Sequence, residues 1–91
     1  MIAYLDNAAT TPVSPEAAQA ACNAMTTDFG NPSTQYPLGK AAKKALDGHR
    51  KAVADALGCK PAEVVFTSCG TESDNWALRL GAQKNRRKGR H

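Results

Sequence analysis

The clearest structural signal in this sequence is Val64-Val65-Phe66-Thr67-Ser68-Cys69-Gly70-Thr71-Glu72-Ser73. Residues 64–67 are β-branched or aromatic and apolar on both faces, which is typical of a buried strand in a parallel sheet. Small residues then form a tight turn, and apolar residues at helical spacing predict a helix over about 71–83. A strand that turns directly into a helix indicates an α/β fold.

Two further helices are predicted upstream of this strand. Apolar residues recur at helical spacing over 38–57 with charged residues on the opposite face, which predicts a helix there. Gly58 suits the position that ends this helix. Ser14-Pro15-Glu16 combines an N-cap residue, a proline at the first helical position and an acid in the first turn. This combination predicts a helix over about 15–27.

Two shorter segments are predicted to be non-helical. Ile2-Ala3-Tyr4-Leu5 predicts a short edge strand or an extended arm, because its residues are apolar and compatible with a strand. Phe29-Gly30-Asn31-Pro32-Ser33 predicts a loop. The chain then offers one buried strand at 64–67 and a single further strand, so we predict an incomplete sheet.

Large apolar side chains are scarce in this chain. It has 91 residues and 42% of them are apolar, but 17 are alanine and only five are aromatic. A domain of this length buries only about two thirds of the surface of its unfolded chain, so independent stability is expected to be marginal. We predict that residues 1–91 form a single partial domain and that the isolated chain is partly unfolded or self-associated.

The positive charge is concentrated at the carboxyl end. The net charge is +4, and residues 84–91 hold five of the twelve basic residues and no acid. We interpret 84–91 as the basic end of a helix or a tail. This solvated end is favoured over a nucleic-acid or membrane-surface patch, because no aromatic residue is interleaved for base stacking. No nucleic-acid or membrane partner is predicted.

Cysteine spacing and hydropathy narrow the protein class. Cys22, Cys59 and Cys69 are widely spaced and include no C-x-x-C pair, so neither a disulfide framework nor a metal site is predicted. Residues 1–25 lack the basic and apolar regions of a signal peptide, and no stretch approaches the ~18 apolar residues that span a bilayer. We therefore predict a cytoplasmic location.

The turn between the predicted strand and the last helix is a candidate anion site. Free backbone N–H groups and the positive end of the helix dipole meet there. Gly70 permits close approach of the backbone, and Thr71 adds a hydroxyl donor for a phosphate oxygen. From spacing alone, plain helix capping is the favoured interpretation. The dinucleotide and P-loop patterns are absent, so a phosphate bound here would not belong to a nucleotide.

Three blocks of this sequence match those of one known family in order and spacing. The blocks are Tyr4-Leu5-Asp6-Asn7-Ala8-Ala9-Thr10-Thr11-Pro12, Phe29-Gly30-Asn31-Pro32-Ser33 and Val65-Phe66-Thr67-Ser68-x-Gly70-Thr71-Glu72-Ser73-Asp74-Asn75. They resemble the cysteine desulfurases, which are pyridoxal-phosphate (PLP) enzymes of the class V aminotransferase group. The resemblance implies the amino-terminal part of a PLP-dependent transferase fold, of the aspartate aminotransferase type.

The resemblance also implies a set of binding residues. Gly70 and Thr71 match the residues at the helix start whose backbone amides and hydroxyl hold the cofactor phosphate. Asn7, Ala8 and Ala9 match the amino-terminal loop that lies along the substrate side of the pocket. PLP is the implied cofactor, L-cysteine the implied substrate and a sulfur-acceptor protein the implied partner, and the parent enzymes are homodimers.

Other residues of the matched blocks carry weaker implications. Asn31-Pro32-Ser33 match a loop near the active site and the dimer contact. Glu72, Asp74 and Asn75 belong to the matched motif. However, acids at a helix start also serve capping and the helix dipole, so a structural role is at least as well supported for them.

The sequence departs from the family pattern at three positions. Cys69 stands where the family usually has glycine, Tyr36 where it has histidine, and Trp76 where it has an aliphatic residue. Cys69 therefore does not correspond to the family's catalytic cysteine. Two interpretations of Cys69 stay open: inert packing, which is favoured, and a reactive thiol whose pKa the helix N-terminus lowers.

No residue of this chain matches the family's catalytic positions. In the family, the Schiff-base lysine, the ring-stacking histidine, the aspartate beside the pyridine nitrogen, the substrate-binding arginine and the catalytic cysteine all follow the segment seen here. His49 lies on the apolar stripe of its helix and is predicted to be partly buried, and His91 is terminal. We predict no catalytic residue in this chain and expect it to contain only the amino-terminal portion of the family.

Three functions are compatible with these features. The favoured one is the amino-terminal piece of a cysteine desulfurase, which converts L-cysteine to alanine and passes sulfur as a persulfide toward iron-sulfur cluster or thio-cofactor assembly. The alternative is a catalytically inactive, truncated piece that acts only as an interaction or structural module through an exposed strand edge. A basic-tailed nucleic-acid binder is least favoured, because the sequence lacks a recognition-helix motif.

Overall fold

Three α-helices make up most of the regular structure of this chain, for which a computed structural model describes residues 1–89. The helices are α1 (Pro15–Thr26), α2 (Pro37–Leu57) and α3 (Gly70–Lys84), and a short 3-10 helix covers Pro61–Glu63. All three predicted helices are confirmed to within one residue at each end. The chain divides into two units, Met1–Ala52 and Val53–His91. The last two residues of the predicted basic tail 84–91 lie outside the described residues.

Helix α1 begins at the predicted cap. The Ser14 hydroxyl accepts a hydrogen bond from the backbone N–H of Ala17 at 3.2 Å, and Pro15 occupies the first turn. Glu16 also lies in the first turn, where the helix dipole favours an acid. The helix starts here because these residues satisfy or complement N–H groups that have no partner inside the helix.

Helix α2 ends in a Schellman motif. Gly58 has a φ of 69°, a left-handed conformation that glycine adopts without a Cβ clash. The N–H of Gly58 donates to the Asp55 carbonyl at 3.3 Å, and the N–H of Cys59 donates to the Ala54 carbonyl at 3.0 Å. These two bonds satisfy carbonyls that the helix end leaves free, and they confirm the prediction that Gly58 terminates α2.

A tight turn over residues 31–34 packs against the start of α2. Asn31 Oδ1 accepts from the N–H of Ser33 at 2.9 Å. The Asn31 carbonyl accepts from the N–H of Thr34 at 3.1 Å and from its hydroxyl at 2.8 Å. Gly39 is buried against this turn. A Cβ at position 39 would lie 2.5 Å from the Thr34 carbonyl oxygen and 2.7 Å from that of Asn31, so the packing requires glycine.

We expect Gly39→Ala to lower the helix content of the chain, and Gly48→Ala in the same helix to raise it. A Cβ at position 39 displaces the turn backbone, which costs roughly 1–3 kcal/mol, as overpacking does. Nothing lies within 4 Å of a Cβ added at Gly48, so alanine there gains up to about 1 kcal/mol of helix propensity. Far-UV circular dichroism at a fixed temperature measures both changes. An equal gain of helix in the two variants would show that the turn does not pack on Gly39.

The two predicted strands are not formed. Within residues 1–89 the structure contains no β-strand, either at 2–5 or at 64–67. The backbone at Val64 is extended, with φ −95° and ψ 123°. However, a strand is stabilised by hydrogen bonds to a neighbouring strand, and the described part of the chain supplies no such neighbour. The strands at 2–5 and 64–67 and the incomplete sheet are therefore not confirmed, whereas the alternative of an extended arm at 2–5 stays a prediction.

Most apolar side chains in the described part of the chain are not buried. Ala54 is the one buried apolar side chain among the described residues. Val65 is 57% exposed and Phe66 46% exposed, although both were expected in a strand covered on two faces. His49, predicted to be partly buried, is exposed as well. The physical reason is that a strand apolar on both faces needs a packed layer on each side, and short alanine-rich helices offer little apolar area.

Neither a metal-binding cluster nor a membrane-spanning helix is found in the described part of the chain. Within residues 1–89, no group of three or more His, Cys, Asp and Glu side chains is arranged to hold a metal ion. In the same range, no helix is both long and apolar enough to cross a bilayer.

Candidate cofactor site

Hydrogen bonds fix residues 67–69, called here the α3 turn, against the first turn of α3. Thr67 Oγ1 lies 2.7 Å from Ser73 Oγ and donates to the Cys69 carbonyl at 3.1 Å. The backbone N–H of Ser73 donates to the same carbonyl at 3.2 Å. Cys69 is the N-cap residue, with an extended backbone at φ −167° and ψ 171°. The geometry of the α3 turn is therefore set by side chains as well as by the helix itself.

Glu72 adds a second bridge to the α3 turn. Its Oε2 accepts from the backbone N–H of Ser68 at 2.7 Å and from the Ser68 hydroxyl at 2.8 Å. These two bonds lower the pKa of the Glu72 carboxyl, because they favour its ionised form. Since the folded pKa is the lower one, the stabilisation is present above the unfolded pKa and is lost as the pH falls through the folded pKa.

The first two N–H groups of α3 lack an oxygen acceptor. Among the described residues, the hydrogen bonds around the turn start from other donors, such as the N–H groups of Ser68 and Ser73, and none starts from the N–H of Gly70 or Thr71 to an oxygen. A Cβ added at Gly70 meets nothing within 4 Å, and the side chain of Thr71 is exposed. The N–H of Gly70 is therefore open to an incoming group, as donors at helix N-termini are in anion sites, whereas the N–H and hydroxyl of Thr71 face the Cys69 thiol.

The thiol of Cys69 shows which charge this site prefers. The N–H of Glu72 and the hydroxyl of Ser68, with the N–H and hydroxyl of Thr71, lower the pKa of the exposed Cys69 thiol. A lowered thiol pKa means that these donors stabilise negative charge. The donor set therefore suits a phosphate group. Cys69 is exposed, so the inert-packing interpretation is wrong, and the reactivity of its thiol stays a prediction.

The predicted substrate-side residues lie on a separate turn, in the first unit. Asn7, Ala8 and Ala9 are exposed, and the turn is closed by a hydrogen bond from the N–H of Ala9 to the Asp6 carbonyl at 3.1 Å. The Tyr4 hydroxyl donates to the same carbonyl at 2.8 Å. The two predicted phosphate-binding residues are neighbours at the start of α3 in the second unit.

Family comparison covers nearly the whole chain. The family described as Aminotransferase class-V matches residues 3–91. The chain belongs to this family. Class V aminotransferases are in general PLP-dependent and have the PLP-transferase fold, so family membership agrees with a phosphate-binding turn at the start of α3.

Curated relatives of this class V chain are much longer than it is. Cysteine desulfurase IscS of Methanosarcina thermophila is 53% identical over 88 residues, which are 97% of this chain and 22% of the relative. Cysteine desulfurase IscS of Photorhabdus laumondii subsp. laumondii and that of Escherichia coli (strain K12 / DH10B) are each 45% identical over 91 residues, with the same two coverages. The chain thus spans 22% of the length of these relatives. No solved structure gives a significant match.

Sequence reasoning misses the bridge between Glu72 and Ser68. The capping-box pattern predicts that an acid at the third helical position binds the N–H of the N-cap residue. Here the N-cap is Cys69, and the carboxylate reaches one residue further back. The available signal is the spacing of four between a serine and a glutamate across a predicted helix start.

Proposed function

We propose that this chain forms the amino-terminal part of a PLP-dependent cysteine desulfurase. That enzyme converts L-cysteine to L-alanine and passes the sulfur, as a persulfide, to an acceptor protein for iron-sulfur cluster or thio-cofactor assembly. The observation that carries the proposal is the 53% identity, over 97% of the chain, to a protein named as a cysteine desulfurase. The open, anion-stabilising start of α3 supports it independently.

Within this proposal, the cofactor phosphate is held at the start of α3. The N–H groups of Gly70 and Thr71 and the Thr71 hydroxyl are the donors, and the positive end of the helix dipole adds to their attraction. Asn7, Ala8 and Ala9 are proposed as the substrate-side loop, from their match to the family's amino-terminal loop. When bound, PLP supplies an electron sink for the carbon-sulfur chemistry. No residue of this chain is assigned a catalytic role, because none matches the family's catalytic positions.

The proposal extends to architecture and assembly. Residues 1–91 constitute one partial domain whose apolar runs join the sheet of the complete PLP-transferase fold. A homodimer is the proposed assembly, by analogy with the parent family. The three free cysteines of this chain fit a reducing compartment, so we propose the cytoplasm as its location. The interaction-module alternative is not pursued, because the strand edge on which it depends is absent from residues 1–89.

A chimera tests the proposed function. Residues 1–91 replace the matching segment of the Methanosarcina thermophila relative, and the chimera is expected to bind PLP and, with a thiol reductant present to reduce the persulfide, to release sulfide from L-cysteine. Thr71→Ala is expected to weaken PLP binding at least about tenfold, since a hydrogen bond to a charged group contributes roughly 1.5–3 kcal/mol. The dissociation constant for PLP is measured by fluorescence titration of the apoprotein, from which bound PLP has first been removed.

The matched control for this test is Thr26→Ala. The Thr26 hydroxyl donates to the Cys22 carbonyl within α1, and Thr26 has no place in the proposed site. This variant should bind PLP as the unchanged chimera does. A soluble chimera that binds no PLP, or a Thr71→Ala variant with unchanged affinity, would contradict the proposed function.

A further inference from the structure

We infer that Glu72 is a positioning residue, whose carboxylate holds the α3 turn so that the N–H groups of Gly70 and Thr71 stay presented to the cofactor phosphate. This inference rests on the proposed function for its ligand. It adds a role for a side chain that does not itself contact the phosphate in the proposed site. The role depends on the two hydrogen bonds that one oxygen of Glu72 accepts from Ser68.

The direction of the Glu72 bridge is the first argument. An acid at the third helical position commonly accepts the N–H of the N-cap residue and so occupies a donor at the helix start. Glu72 instead accepts from Ser68, the residue before the N-cap, at 2.7 and 2.8 Å. Its carboxylate therefore ties the turn to α3 one residue further back than a capping box does, and it bonds neither Gly70 nor Thr71. The N–H of Gly70 stays available to a ligand, and the N–H of Thr71 faces only the Cys69 thiol.

The position of Ser68 is the second argument. The N–H and hydroxyl of Ser68 are donors that lie beside the same helix start and would otherwise be free to turn toward a bound anion or water. Glu72 engages both of them on one oxygen. The bond between Thr67 and Ser73 at 2.7 Å holds the other side of the turn. The Thr67–Ser73 bond and the Ser68–Glu72 bridge both span Cys69 and restrict the backbone of the turn. Such restriction is the preorganisation that favours tight binding.

Charge alone does not account for Glu72. An ionised carboxylate repels a phosphate at short range, so an electrostatic role predicts tighter phosphate binding when the charge is removed. Interaction with the helix dipole likewise depends on the charge of Glu72, the acid in the first turn of α3, and not on its bonds to Ser68. Position and charge can therefore be separated by substitution.

Three substitutions of Glu72 in the chimera separate the effect of its bridge to Ser68 from the effect of its charge. Glu72→Gln removes the charge but keeps an oxygen that accepts both Ser68 donors, so PLP affinity should stay within about threefold of the unchanged chimera. Glu72→Asp keeps the charge but is one methylene shorter and cannot reach Ser68. Glu72→Ala removes both. For Glu72→Asp and Glu72→Ala we expect PLP binding to weaken about tenfold, the loss of a charge-assisted hydrogen bond.

Glu63→Ala is the matched control, because its carboxylate also accepts a backbone N–H, that of Lys60 at 2.7 Å, but lies outside the α3 turn, so its removal should leave PLP affinity unchanged. The thermal midpoint of each apoprotein reports folding separately, and the inference expects the affinity to change in variants whose midpoint does not. Glu72→Asp keeps the test valid if Glu72→Ala does not fold.

The outcomes distinguish the inference from the function on which it rests. If Thr71→Ala weakens PLP binding while Glu72→Asp and Glu72→Ala do not, the positioning role is rejected and the proposed function stands. If Glu72→Gln weakens binding as much as Glu72→Ala, the charge acts rather than the bridge, and the inference is again rejected. If Thr71→Ala also binds PLP normally, the phosphate site itself is wrong.

Discussion

Heating the isolated 91-residue chain is expected to give a broad, non-cooperative loss of helical signal. Among the described residues, Ala54 is the one buried apolar side chain, while Trp76 and Leu80 on α3 are each 47% exposed. Burial contributes about 25 cal/mol per Å² of apolar surface, and ordering a residue costs roughly 1.5 kcal/mol, so the balance for this chain does not favour a fixed tertiary structure. Exposed apolar side chains then favour self-association.

Three measurements check this expectation. Circular dichroism follows the thermal transition, sedimentation gives the association state, and hydrogen exchange counts the protected amides. The same residues inside the chimera serve as the control and should melt with the rest of that protein in a sharp transition. A sharp transition from a monomeric 91-residue chain, with many amides protected, would show that the chain folds alone.

The isolated chain, supplied with PLP and a thiol reductant, is expected to release no sulfide from L-cysteine above the rate of free PLP with the same reductant. The reaction needs a lysine that holds the cofactor and a cysteine that takes up the sulfur, and no residue of this chain matches either family position. Loss of activity relative to the chimera should therefore be complete within the sensitivity of the assay. A sulfide assay over several PLP concentrations measures this directly.

The control for the sulfide assay is PLP without protein, and the chimera is the positive reference. An absorbance band from PLP on an accessible lysine does not count as activity, since amines react with the aldehyde nonspecifically. Sulfide release above free PLP that scales with the concentration of the chain would overturn the expectation. It would also mean that a residue outside the family pattern performs the chemistry.

The helices follow from local rules, and the strands do not. The cap at Ser14 and the helix-terminating Gly58 act through hydrogen bonds within a few residues, so the sequence specifies where α1 starts and α2 ends. The runs at 2–5 and 64–67 have strand composition, but a strand forms only beside a partner strand. Their amino-acid pattern is compatible with strands, but whether strands form depends on the presence of neighbouring strands to pair with.

The candidate site, like the fold, is only partly predictable from the sequence. The prediction of an anion site comes from a glycine and a threonine at a helix start, where capping is the favoured interpretation from spacing alone; the structure adds free space at Gly70 and an exposed Thr71. The Glu72 bridge to Ser68 does not follow, because it depends on the N-cap being Cys69 rather than serine. A shift of one residue in the cap changes which N–H groups the acid occupies. Sequence patterns alone do not resolve such a shift.

Within residues 1–89, burial is confined to Gly39 and Ala54, and this has a consequence for mutational tolerance. In most domains, a saturation scan finds its intolerant positions at large core side chains. In this chain taken alone, the positions that resist change should be small residues and backbone-determined ones, such as Gly39 and the left-handed Gly58. The large apolar residues should tolerate polar replacement, and even gain solubility from it. Intolerance at those residues would appear only when the segment is scanned inside a complete class V domain.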